Sequence, residues 1–125
     1  MPIIGYAFVW VIPALVALGL FFGGLWTWAT PAFVYGLVPL LETVLRGTKH
    51  NVPPESEAVR AQSPIANGIL FSLLPIQALL LFTLFWRLQS FDTFEFAGSI
   101  IGMGTMIGAI AINGAHELGH HGSRW

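Results

Sequence analysis

Residues 97–121 read Ala97-Gly98-Ser99-Ile100-Ile101-Gly102-Met103-Gly104-Thr105-Met106-Ile107-Gly108-Ala109-Ile110-Ala111-Ile112-Asn113-Gly114-Ala115, then His116-Glu117-Leu118-Gly119-His120-His121. The first part is an uncharged run of roughly 19 residues, about 28 Å as a helix, close to the hydrocarbon thickness of a bilayer. Three of the chain's four histidines follow at once. If the helix continues, His116 and His120 share one face a single turn apart. Two imidazoles so placed can chelate a metal ion. Glu117 and His121 share the neighbouring face, and Asn113, one turn before His116, can orient its ring. The plainer alternative is an interfacial polar cluster that marks a helix end, with Gly122 as its stop.

The composition says where such a helix sits. Of 125 residues, 55% are hydrophobic and 9% charged, with mean hydropathy +0.74. A soluble domain carries about 25% charged residues. The chain therefore reads as an all-α integral membrane protein and a single domain by length. A net charge of −1 gives no reason to expect nucleic acid as a partner. With no cysteine, the chain has no disulfide, thiolate metal site or cysteine nucleophile. The N-terminus lacks basic residues, and its apolar run exceeds the roughly 7–15 residues of a signal peptide, so no cleaved leader is expected.

Three further apolar runs precede the last one. Residues 2–24 carry no charge, with Pro13 inside as an expected kink and Gly23-Gly24 as a turn. Residues 25–45 hold Trp26 and Trp28, suited to a membrane interface, with Pro31 and Pro39 as expected bends. Residues 65–88 are rich in Leu and Phe, with Pro75 and Gln77 inside and Trp86-Arg87 at the end. Between the second and third runs, 46–64 is a polar loop with Arg46, Lys49, Glu55, Glu57, Arg60 and the breaker Pro53-Pro54. The expectation is four transmembrane helices over about 2–24, 25–45, 65–88 and 97–115, paired as two hairpins. Arg46, Lys49, Arg60 and Arg124 fall on one side and Arg87 on the other, which puts both termini, the 46–64 loop and the histidines in the cytoplasm. Gly98/Gly102 and Gly104/Gly108 are small pairs one turn apart that favour close helix packing.

His116-Glu117-x-x-His120 has two chemical readings. In one, the histidines bind zinc and Glu117 is the general base of an intramembrane metalloprotease, which needs a third protein ligand. In the other, it is one of several histidine boxes around iron, since imidazole suits iron as well as zinc. The five-residue pattern alone does not choose.

Two segments favour iron by resemblance. Asn113-Gly114-Ala115-His116-Glu117-Leu118-Gly119-His120 is similar to the first histidine box of the membrane-bound alkane 1-monooxygenases, the diiron alkane hydroxylases. Val38-Pro39-Leu40-Leu41-Glu42, followed by Asn51-Val52-Pro53-Pro54-Glu55, resembles their stretch from the second helix into the loop after it. The resemblance implies a bundle of six helices in the bacterial inner membrane, of which these four are the N-terminal part. It also implies a diiron site on the cytoplasmic side that uses O2 to insert one oxygen atom at the terminal carbon of an alkane. Electrons would come from rubredoxin, itself reduced by a flavoprotein reductase. His116 and His120 match metal ligands of the first box. Glu117 matches its carboxylate, placed beside the metal rather than on it. His121 matches no ligand, because a basic residue is usual there. The remaining boxes have no counterpart in these residues: the other histidine, His50, sits in the polar loop. Two ligands cannot hold two irons, so the expectation is the N-terminal part of a longer protein, inactive by itself.

Overall fold

Gly23 and Gly24 have positive φ, 68° and 56°, and are where the chain first reverses. The computed structural model describes residues 8–44 and 64–121, with side chains over 9–44, 68–69 and 71–110. Every element among the described residues is helical. A 3-10 turn, Phe8–Trp10, leads into α1, Val11–Phe22. Pro13 falls in the first turn of α1, where its missing N–H would have had no partner in any case. The expected kink is therefore a change from 3-10 to α-helix at the start of α1.

After the glycines comes a second rod built of four unlike pieces. These are a 3-10 segment, Gly24–Trp28, one α-turn, Ala29–Pro31, a π-helical segment, Ala32–Leu37, and α2, Val38–Val44. Pro31 and Pro39 account for the irregularity, since neither can donate to the carbonyl four residues back. The polar loop expected over 46–64, His50 included, lies outside the described residues apart from Pro64. The chain resumes with α3, Pro64–Arg87, which runs on through Pro75. It turns over Leu88–Asp92 into α4, Thr93–His121.

Both reversals lie at the same end, because their polar groups bond one another. Asp92 and Glu95 form a reciprocal capping box at the start of α4. The Glu95 N–H donates to Asp92 Oδ1 at 2.8 Å, and the Asp92 N–H to Glu95 Oε2 at 3.0 Å. The other carboxylate oxygen, Oε1, accepts the Gly24 N–H at 2.6 Å. Beside it, Arg87 Nε donates to the Leu20 carbonyl at 3.0 Å, joining the ends of α3 and α1. The Trp28 indole N–H donates to the Phe94 carbonyl at 3.1 Å.

From this end α4 runs along two partners. Gly98 faces Trp28 and Thr27, and Gly102 faces Thr30 and Pro31. Further along, the Tyr35 hydroxyl meets the Thr105 hydroxyl at 3.1 Å. The second rod and α4 thus point the same way. Met103, Met106 and Ile110 pack in a core with Val16 and Leu20 of α1 and Leu73, Leu80 and Leu84 of α3. Their spacings of three, four and seven place each set on one helical face. The second small pair behaves differently from the first: among the described residues, Gly104 and Gly108 have nothing against them within 4 Å.

Outside this core, large apolar side chains are exposed on every rod, among them Phe21, Leu40, Phe82 and Ile100. Among the described residues, one helix is long and apolar enough to cross a membrane, over Thr93–Ile110; Val11–Phe22 is apolar but shorter, and the Phe71–Arg87 part of α3 is apolar too.

Two substitutions test how α4 is seated. A Cβ at Gly98 would lie 2.7 Å from the Trp28 ring, which its bond to Phe94 holds in place, and 2.8 Å from Thr27 Oγ1. Gly98→Ala is expected to cost about 1–3 kcal/mol of stability by overpacking. Gly104→Ala meets open space and is expected to be neutral or to stabilise by up to about 1 kcal/mol through helix propensity. Glu95→Ala removes the acceptor for two backbone N–H groups and is expected to cost about 1–2 kcal/mol, allowing for its partial exposure. Denaturant unfolding in detergent reads all three.

Candidate functional site

The residues singled out for chemistry lie at the far end of α4. This helix has 29 residues and continues without interruption through Ile110 to His121. At 1.5 Å per residue, His116 stands about 34 Å from Thr93 and about 9 Å beyond Ile110. His116 and His120 are one turn apart on this helix, separated by about 40° round its axis. Glu117 and His121 repeat that spacing on the adjoining face. The backbone thus gives the pair the register that chelation needs. The side chains of residues 111–121 lie outside the described residues, so ring directions and metal geometry are not assigned. Among the described side chains, no group of three or more His, Cys, Asp or Glu comes together that can hold a metal.

Glu42 is described, and it is exposed on α2. The second rod and α4 run in the same direction, with Thr27 beside Gly98, Thr30 beside Gly102 and Tyr35 beside Thr105. Their shared direction carries Glu42 away from the turn end, as it does the histidines.

Among the described residues, Ser99 and Gly102 border a gap shared with Val16, Gly19, Leu20, Thr27 and Thr30. About 10 Å³ of it is open to the centre of a water molecule. Ligand pockets usually reach about 300–1,000 Å³, so this gap admits no alkane. It is a packing feature: a Cβ on Gly19 would stand 2.8 Å from the Trp26 carbonyl oxygen, which brings α1 and the second rod too close for more.

Reading the sequence missed the polar network that fixes the start of α4. Its signal is present as Asp92-Thr93-Phe94-Glu95, a capping-box spacing just ahead of an apolar run. That spacing moves the helix start from 96–97 back to Thr93.

No protein-family profile matches this chain, and no solved structure matches it. Among curated proteins, it is similar to alkane 1-monooxygenase 1 of Alcanivorax borkumensis, with 36% identity over 89 residues. The match covers 69% of this chain and 22% of that protein, so the chain spans only about a fifth of the relative's length. A chain whose described elements are all helical, one of them able to cross a membrane and carrying two histidines a turn apart near its end, is thus similar to part of an alkane monooxygenase.

Proposed function

We propose that this chain belongs to a membrane monooxygenase of the alkane-hydroxylase type and contributes His116 and His120 to its metal site. The observation that carries the reading is the unbroken course of α4 from the apolar window to His121. The similarity to an alkane 1-monooxygenase supports the choice of chemistry. In this reading the four rods are four membrane spans in two hairpins. The turn end faces outward, and the histidine end faces the cytoplasm, where Arg46, Lys49, Arg60 and Arg124 also fall. The exposed apolar side chains then face lipid, a more consistent setting than water for so many of them.

The overall change takes an alkane, O2, two electrons and two protons to a primary alcohol and water. Rubredoxin is the proposed electron donor. Iron, when bound, supplies the redox chemistry that turns O2 on a C–H bond. This chain's share is geometric. His116 and His120 each offer one imidazole nitrogen lone pair from adjoining turns, so one rigid helix sets their separation. Asn113 is assigned to orient the His116 ring. Glu117, three residues before His120, is assigned to accept a hydrogen bond from an imidazole nitrogen that does not face the metal. Two imidazoles do not complete a diiron site, so the reading requires ligands from outside residues 1–125.

A hybrid tests this. The matched segment of the Alcanivorax borkumensis relative is replaced by the corresponding segment of this chain, and iron content and n-alkane hydroxylation are measured. Activity with bound iron is expected. His116→Ala or His120→Ala is expected to lower turnover to about a hundredth or less, and Glu117→Ala by about 10- to 100-fold. Zinc in place of iron, or full activity in both histidine variants, would overturn the assignment. The 125-residue chain by itself is expected to purify with iron near zero, and stoichiometric diiron would refute the need for further ligands.

A further inference from the structure

The histidine end is where the proposed chemistry lies, but the opposite end carries a feature that reading does not use. Trp26, Trp28 and Trp86 all lie close to the two reversals, joined there by Phe22 and Phe94. Their common level is fixed by bonds. Trp86 precedes Arg87, which is tied to Leu20 at the end of α1, and Trp28 is tied to Phe94 in the first turn of α4. Trp26 stands 5.9 Å from Phe22, ring centre to ring centre, and Trp28 stands 5.4 Å from Phe94. This is also the level at which the membrane-length apolar window begins, at Thr93. Trp26 and Trp86 are largely exposed, at 52% and 76%.

Indole has an apolar body and one polar N–H, and it settles where hydrocarbon meets headgroups. The charges at this end, Arg87 against Asp92 and Glu95, sum to −1, and both carboxylates already hold backbone N–H groups. Nothing here draws an anionic lipid. We propose that the turn end is seated in the headgroup layer of a phospholipid bilayer, and that its aromatic side chains rather than its charges set that depth. This rests on the membrane reading given above, and it adds which level of the molecule meets which layer, and by what force.

The chain has no cysteine, so single labels are straightforward to place. Leu25→Cys marks the turn end, and Ile101→Cys marks a point eight residues past Thr93, about 12 Å deeper along α4. Both positions are exposed. The full 125-residue chain, carrying an environment-sensitive fluorophore at one site or the other, is placed in phosphatidylcholine vesicles with nitroxides at acyl carbon 5 or carbon 12. The Leu25 label is expected to be quenched more by carbon 5, about twofold, and the Ile101 label more by carbon 12. Replacing part of the phosphatidylcholine with phosphatidylglycerol is expected to leave both ratios unchanged. Trp26→Ser with Trp86→Ser is expected to shift the Leu25 label toward water, read as stronger quenching by iodide. If the Leu25 label escapes both nitroxides while Ile101 is quenched, the end lies in water or under another protein or a second copy. The anchor is then refuted and the membrane reading stands. If neither label is quenched by lipid, the membrane reading itself falls. A depth that needs phosphatidylglycerol, or that survives loss of both tryptophans, would refute aromatic anchoring.

Discussion

Two backbone N–H groups that are distant in sequence depend on one carboxylate. Glu95 Oε1 holds the N–H of Gly24, and Oε2 holds the N–H of Asp92, whose side chain caps Glu95 in return. The Gly24 N–H belongs to a left-handed turn in which it has no helical partner, and the Asp92 N–H lies ahead of the first turn of α4. Both bonds are exposed, so losing their shared acceptor costs less than it would in a core, about 1–2 kcal/mol in all. One side chain meets both and joins the turn between α1 and the second rod to the start of α4. Gly23 leaves the room this needs: a Cβ there would fall 2.8 Å from the same carboxylate oxygen.

The register of everything further along α4 follows from that junction. Gly98 and Gly102 sit against Thr27, Trp28 and Thr30 only because Glu95 places the first turn of α4 beside Gly24. With those contacts made, Met103 and Met106 reach the core with Val16 and Leu20. An α-helix is stiff over this length, so a rotation of its first turn would be transmitted to its end. About 34 Å from Thr93, that rotation would decide which way His116 and His120 face. The polar junction and the histidine pair are therefore mechanically linked through one helix.

How much of this was legible depended on which signal each element carried. The all-helical class, the turn at Gly23-Gly24 and the long last helix follow from apolar run length and glycine placement, and the structure has all three. The make-up of the second rod was not legible. Pro31 and Pro39 announce an irregularity, but the sequence does not say whether it becomes a kink, a 3-10 turn or a π-helical segment, because neighbouring packing decides that. Nor was the difference between the two small pairs. Gly98/Gly102 and Gly104/Gly108 have the same spacing, and among the described residues only the first has a rod against it. Four spans were expected, and among the described residues one helix is long and apolar enough to cross a membrane. The second rod passes from 3-10 to α to π geometry around Pro31, so no single regular helix runs its length. For the site, the one-turn spacing of His116 and His120 was plain, and the helix carries it. The remaining ligands could not be read from two imidazoles.

Several hydroxyl groups along the apolar rods show the same economy, whereas the buried Ser99 hydroxyl has no partner among the described residues. Thr43, Ser72, Thr83 and Thr105 each donate to a carbonyl three or four residues back on their own helix. In water such bonds mildly weaken a helix, but in hydrocarbon the alternative is a hydroxyl with no partner. Tyr35 extends the rule between rods. Its hydroxyl finds the Thr105 hydroxyl, which already donates to Ile101 and so has a lone pair to offer. Tyr35 lies within the π-helical segment, where an added residue per turn alters the side chain's direction relative to a regular helix. The irregular rod is thus not merely tolerated. Its departure from α-geometry accompanies the one hydrogen bond seen midway between it and α4, at the level where the glycine contacts have ended. That bond extends the register set by Glu95 further along the helix toward the histidines.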